Sequence, residues 1–441
     1  IVDVPACFWM VAAVLAAAHT IKPEVVQPAS HSVQKKGSGG TLSGWLFLSA
    51  AAAGFAAGTK YNAGVAVMAP LLALYWRSSD RADGALAAGN PPAGNPLAQK
   101  LNTWGDVVYR SVLLLSAALA CFLISTPGFL TDRAQFIRDF SFEVWHVRTG
   151  HDYIFTETAP AFIHHLIKSL PIGMGLPLCV TALLGVLFAL LRRTRPDSLM
   201  AAVALAYYLV IGMAQVKFMR YTIPLLPFLC IWVARLLVAA LSTTGLRKGD
   251  RGVVGGRWRR PAAMACLILP GLCALVKTLA YDGALAGPNV RLEALDWLQI
   301  HVRRGSSIGM IRHPWFNDPP VIPYNSIRVT DDWVTAHNDR WLFRMKFTGW
   351  SAARLRQDRP DYFVLNDWEI RYRLRLHHLH PLGSGDAAAA GQEAFDLVTT
   401  LNRDYKLAAT FQRPAKLGPL VFSQVLPPPG RDIQGDGDSL G

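Results

Sequence analysis

Charge is what this sequence has least of. Lys, Arg, Asp and Glu make up 17% of 441 residues, while 52% are hydrophobic; a soluble domain carries about 25% charged residues. That excludes an ordinary water-soluble chain and predicts a polytopic membrane protein with some soluble mass attached. Cysteine is also scarce. All six (Cys7, Cys121, Cys179, Cys230, Cys266 and Cys273) lie in apolar runs, where they read as small buried hydrophobes. No pair has zinc-ligand spacing and the polar C-terminal third has none, so no disulfide framework is visible. That third also lacks a Gly-rich phosphate loop. No HExxH-type spacing occurs, and adjacent His164 and His165 point to different faces of a helix. The first residues, Ile1-Val-Asp3, carry no cationic leader or cleavage site, so they do not form a signal peptide. A chain that starts at Ile1 inside an apolar run reads as an N-terminally truncated piece of a longer protein.

What is there, first, is a set of eight apolar segments, at about 4–21, 43–58, 62–76, 110–127, 171–191, 198–214, 221–242 and 262–281. Each crosses or nearly crosses a bilayer, which takes about 20 residues. The second and third are short and only Thr59-Lys60-Tyr61 separates them, so they are either two tilted helices or one interrupted element. The net charge of +14 raises nucleic acid as a partner. The lysines and arginines, however, cluster in short loops between apolar runs, the signature of membrane topology. Loops at 22–42, 77–110, 192–197 and 243–261 hold 16 of them against seven in the alternate loops of the bundle, and are assigned to the cytoplasm. Asp3, Lys60, the loop 128–170, Lys217, Arg220 and everything after the last apolar segment then share the opposite face.

The stretch Lys217-Phe-Met-Arg220-Tyr221-Thr-Ile-Pro224-Leu-Leu-Pro227 puts two fixed cations at the mouth of an apolar run, with prolines in its first turns where a missing N–H costs least. Such a pair either snorkels to the interface or holds a phosphate at the lipid–water boundary. The loop 128–170 is long enough to be functional. Phe136, Phe140, Val144 and Val147 predict an amphipathic interfacial helix over 132–147, ended by Gly150.

Beyond residue 282 the pattern changes to that of a small α/β domain. Helices are predicted over 289–303 and 393–405, and strands at Ser307–Ile311, Asp361–Leu365, Leu407–Phe411 and Leu420–Val425. The Pro/Gly/Asp-rich tail 427–441 reads as disordered. The expected organisation is a helix bundle over 1–282, an α/β domain over 283–426 and the tail.

Several stretches resemble one family. Asp3-Val-Pro-Ala-Cys-Phe-Trp9, Gly54-Phe-Ala-Ala-Gly-Thr-Lys60-Tyr61-Asn-Ala-Gly64, Ser125-Thr-Pro-Gly-Phe-Leu130 with Glu143, His146 and Arg148-Thr-Gly-His151, Arg220-Tyr-Thr-Ile-Pro-Leu-Leu-Pro-Phe228, and Asp361-Tyr-Phe-Val-Leu365 look, in order, like segments of polyprenyl-phosphate-dependent glycosyltransferases of the GT-C fold. Protein O-mannosyltransferases and the lipid A aminoarabinose transferase are examples. The resemblance implies a mostly α, multi-pass membrane helix bundle in a bacterial inner membrane, with its small C-terminal α/β domain outside the cytoplasm. It implies transfer of a sugar from a lipid-linked phosphate donor to a protein, lipid or glycan acceptor.

By that resemblance Lys60, Tyr61, Lys217, Arg220 and Tyr221 hold the donor phosphate and stabilise the charge that develops on it. Glu143, His146, Arg148 and His151 meet the donor headgroup or the acceptor. Asp3 matches a supporting acid, with a plain helix N-cap as its other reading. The family's principal base belongs to a loop that precedes this chain, so the chain alone is expected to be inactive. No cofactor is assigned and a divalent metal stays open; the partners are the polyprenyl-phosphate sugar, its acceptor and membrane lipid, with no nucleic acid. The rival readings are a transporter, against which stand the absence of a mid-helix acid and of an inverted repeat, and a non-catalytic scaffold.

Overall fold

A computed structural model describes residues 2–21, 42–87, 96–150, 153–243, 256–314, 318–322, 330–337, 340–380 and 384–422. The Gly-Ser-Gly-Gly tract near residue 38, the Gly/Pro tract around 90–95, His151 and the tail 427–441 lie outside the described residues. The chain divides into two compact units: residues 1–151 with 157–273, and residues 152–156 with 274–441.

The first unit is helical. It contains α1 (Asp3–Ala18), α2 (Gly44–Thr59), α3 (Met68–Ala87), α4 (Pro96–Ser125), α5 (Gly128–Thr131), α6 (Arg133–Thr149), α7 (Ala161–His164), α8 (Leu170–Met174), α9 (Leu176–Arg192), α10 (Arg195–Gly212), α11 (Leu226–Thr243) and the first part of α12 (Gly256–Ala286). Two 3₁₀ segments, Tyr61–Val67 and Met219–Leu225, lead into α3 and α11, and a π-helical turn, His165–Ser169, joins α7 to α8. The interrupted second and third apolar segments are therefore two helices, α2 and α3, with a 3₁₀ turn between them.

Packing in this unit reverses the soluble pattern. On α9 the buried side chains are small (Cys179, Ala182, Gly185, Ala189), while Leu183, Leu184, Leu187, Leu190 and Leu191 face outward. On α1, Ala6, Met10, Ala13 and Ala17 are inside, and Phe8 and Leu15 outside. Small residues let backbones approach closely, and outward leucines cost nothing where the solvent is lipid. Gly54 shows how close: a Cβ there would lie 2.1 Å from the carbonyl oxygen of Ala118 on α4. Among the described residues, three helical stretches, Trp104–Ser125, Met219–Ala240 and Ile268–His301, are long and apolar enough to cross a membrane; Asp3–Ala18, Gly44–Thr59 and Leu176–Arg192 are shorter apolar helices.

The second unit contains α13 (Val290–His301), β1 (Ser307–Met310), α14 (Asp331–Ala336), β2 (Arg344–Phe347), α15 (Ala352–Asp358), β3 (Tyr362–Phe363), α16 (Asp367–Leu379), α17 (Asp386–Asp404), β4 (Lys416–Leu417) and β5 (Leu420–Val421). The first three strands form a parallel sheet in the order β2-β1-β3, with Ser307 opposite Arg344 and Ile308 opposite Tyr362. Leu298, Val302, Ile308, Met310, Val334, Phe343 and Met345 form its core. Residues 407–411 are not a strand. The 153–156 part of the long loop belongs to this unit. Arg375 donates to the Thr156 carbonyl at 2.8 Å, and the Arg373 guanidinium lies 5.2 Å from the Tyr153 ring centroid.

Candidate functional site

The site grows from two helix ends. Asp3 is the first residue of α1 and is 2% exposed. Val2 occupies the cap position and no side chain caps the helix, so Asp3 is not an N-cap; its carboxylate forms an ion pair with the ammonium of Lys60. Lys60 closes α2 in an extended conformation (φ −156°, ψ 117°), which turns its side chain away from the helix it ends.

A third element supplies the aromatic wall. The Lys60 Nζ stands 4.4 Å from the Tyr221 ring centroid, within cation–π range. Tyr221 is fixed from behind, because the Tyr207 hydroxyl donates to its carbonyl at 3.0 Å. Arg220, exposed next to it, packs its guanidinium 4.8 Å from the Phe218 ring centroid. Arg220 and Asp3 act on the Lys60 charge with opposite sign.

The interfacial helix completes the cluster. α6 runs over 133–149 with Asp132 as its cap, accepting from the Gln135 N–H at 3.0 Å, and it ends at Gly150. Tyr61 packs edge-on against Phe136 and Phe140, with centroids 6.1 and 5.0 Å apart. These contacts bring Glu143 within electrostatic reach of the hydroxyls of both Tyr61 and Tyr221. Burial pushes the Tyr61 hydroxyl above its ordinary value, and Glu143 and Asp139 push it further.

Asp3, Lys60, Tyr61, Arg220, Tyr221 and Glu143 thus come together from α1, α2, α6 and the turn before α11. Lys217 goes elsewhere. It is 4% exposed, and its ammonium donates to the Thr158 hydroxyl at 2.8 Å. Its charge is felt by His164 and His165, which burial holds down at about 4 with added repulsion from Lys217. His165 is fully buried, with Nδ1 3.0 Å from the Ser169 hydroxyl. His146 stacks on Phe142 one helical turn back at 5.9 Å, and Arg148 is exposed near the end of α6. Among the described residues no three His, Cys, Asp or Glu side chains are grouped as metal ligands.

Sequence reasoning missed Tyr207 and Thr158. Neither carries charge, and Tyr207 sits inside an apolar run where only its phase on α10 would have aimed it at Tyr221. Chemically, the cluster offers two cations, two phenols and two carboxylates at one edge of an apolar bundle; Asp3 is buried and paired with Lys60, so Arg220 and the two phenols are the groups best placed to meet an anionic group attached to an apolar tail. Comparison with the known family models, with curated proteins and with solved structures finds no match to this chain.

Proposed function

We propose that this chain is the membrane-embedded body of a glycosyltransferase that takes its sugar from a polyprenyl-phosphate donor. The observation that carries the reading is the convergence of Lys60, Arg220 and Tyr221 with buried Asp3 at the edge of a bundle whose outward side chains are apolar. A phosphate on an isoprenoid tail needs that combination: cations at the boundary, and an apolar surface beside them. The eight membrane segments, the GT-C arrangement and an extracytoplasmic α/β domain belong to the same proposal.

In this reading the phosphate binds between Lys60 and Arg220, with Tyr221 donating a hydrogen bond. The glycosidic C–O bond to phosphate breaks, the acceptor oxygen or nitrogen bonds the sugar carbon from the opposite side, and the bond electrons stay on the phosphate. The charge that develops there is what preorganised cations stabilise. Asp3 holds Lys60 in place before the donor arrives. Glu143 stands where it can meet the sugar or the acceptor, whose proton passes to a general base. Lys217, bonded to Thr158, supports the loop 153–170 instead of meeting the donor.

The test uses the protein in neutral detergent with polyprenyl phosphate, the shared product of any such donor, followed by a panel of polyprenyl-phosphate sugars. Wild type should bind the phosphate, and Arg220→Gln, on an exposed side chain, should weaken binding about tenfold or more, the scale of one charge-assisted bond. Binding that survives Arg220→Gln together with Lys60→Met would place the phosphate elsewhere. No binding of polyprenyl phosphate or of any donor would return the chain to the transporter or scaffold readings.

A further inference from the structure

A second feature of the first unit lies on α9 and α11. The helices touch at Gly185, where a Cβ would stand 2.8 Å from the carbonyl carbon and oxygen of Trp232. Toward the C-terminal ends of both helices a groove of about 700 Å³ opens, lined along its walls by Phe188, Ile231, Ala234 and Val238 and by two arginines, Arg192 and Arg235. The proposed transfer reaction uses none of these residues.

The arginines are held in different ways. Arg235 is fixed: its Nη1 lies 2.7 Å from Asp197 Oδ1, and Asp197 is 1% exposed and accepts a 2.6 Å hydrogen bond from the Thr194 hydroxyl. Arg192, the last residue of α9, leans along the groove wall with its guanidinium 5.4 Å from the Phe188 ring centroid. Around them Arg193 caps α9 and Arg195 makes a two-point pair with Asp80 at 2.5 and 2.6 Å. Four arginines against the carboxylates of Asp80 and Asp197 leave these six groups at a net +2. The groove is therefore apolar along its length and cationic at its rim.

An apolar slot beside one arginine, Arg192, with no carboxylate against it among the described residues, on helices whose outward side chains are apolar, matches a lipid with a charged head more closely than a water-soluble ligand or an apolar partner helix. We propose that the α9–α11 groove is a binding site for an anionic phospholipid, with one acyl chain along Phe188, Ile231, Ala234 and Val238 and the headgroup phosphate against Arg192. Arg235, already tied to Asp197, lends its field without having to move. The site rests on the membrane reading of these helices and is independent of glycosyl transfer. Basic pockets between membrane helices bind acidic headgroups by the same physics.

The test titrates the full chain in neutral detergent with phosphatidylglycerol and, separately, with phosphatidylcholine of the same acyl chains, counting bound lipid by native mass spectrometry. Phosphatidylglycerol should bind about fivefold tighter or better, the worth of one arginine at an anionic interface (~1 kcal/mol). Arg192→Gln should erase that preference and leave phosphatidylcholine binding unchanged. Ala234→Trp should fill the slot and weaken both lipids; if it does not fold, Ile231→Trp at the neighbouring wall serves the same purpose. Equal binding of the two lipids, a preference that survives Arg192→Gln, or retention of neither lipid would overturn the proposal. Polyprenyl phosphate displacing phosphatidylglycerol from wild type, with its own binding lost in Ala234→Trp but kept in Arg220→Gln, would assign the groove to the donor tail instead.

Discussion

Asp3 and Lys60, 57 residues apart in sequence, form an ion pair that ties the start of α1 to the end of α2, with the Asp3 side chain 3% exposed and that of Lys60 15%. Removing one member of a buried pair leaves the other charge uncompensated, which typically costs about 3–5 kcal/mol, whereas replacing both costs far less. Lys60→Met should therefore destabilise the bundle by about 3 kcal/mol, and Asp3→Asn with Lys60→Met should recover at least half of that. Denaturant titration in detergent, followed by tryptophan fluorescence, measures both. If the two single losses simply add in the double variant, the pair contributes no coupling and the link between the helix ends is wrong.

His164 and His165 give a pH dependence with a definite sign. Burial first, then the positive charge of Lys217 for His164 and that of His164 followed by Lys217 for His165, holds both imidazoles neutral down to about pH 4. An unfolded histidine titrates near 6.5. Between about pH 6.5 and 4 the unfolded chain binds more protons, so stability should be flat above 6.5 and fall as the pH drops through that window. Lys217→Met removes the repulsion and should move both midpoints upward. Imidazole resonances followed by NMR across pH 3.5–7.5 would show it; midpoints that ignore Lys217→Met would mean the ammonium does not face them.

Part of this site was legible in the sequence, and the reasons are local. Asp3, Lys60 and Arg220 each sit at the end of an apolar run, and the expectation drawn from loop charge put those ends on one face, which made them candidates to meet. Lys217 is three residues from Arg220, yet it points to Thr158. The backbone between them is extended at Phe218 before the 3₁₀ turn begins at Met219, and no periodicity announces that change of direction. In the second unit β1 was visible as an apolar run. β2, Arg344-Met-Lys-Phe347, was not: it is four residues long and carries two cations, and it is a strand because Met345 and Phe343 bury against Val334 and Ile308. α16 escaped for a similar reason, since Arg371, Arg373, Arg375, His377 and His378 leave it no clean apolar stripe.

Asp361 offers a separate test, in the second unit. Its Oδ2 accepts from the Ser307 N–H at 2.7 Å and from the Ser307 hydroxyl at 2.8 Å, and the hydroxyl accepts in turn from the Asp361 N–H at 2.9 Å. Ser307 opens β1 and Asp361 precedes β3, so this exchange locks the two parallel strands at their entry. The Ser307 N–H, then its hydroxyl, hold the Asp361 carboxyl below the ordinary range, and Arg344 adds to it. A depressed carboxyl adds stability that is complete at neutral pH and is lost as the pH falls from the ordinary value of about 4 through the folded one. Asp361→Asn keeps one acceptor oxygen but loses the charge, and should cost about 1 kcal/mol at pH 7. Ser307→Ala removes both side-chain bonds and should cost about as much. The two should not add, because each variant breaks the same exchange. Urea unfolding at pH 7 and pH 3 separates this lock from general acid sensitivity: the gap between wild type and Asp361→Asn should narrow at pH 3. A gap as wide at pH 3 as at pH 7 would mean that the shape of the side chain, and not its charge, holds the strands together.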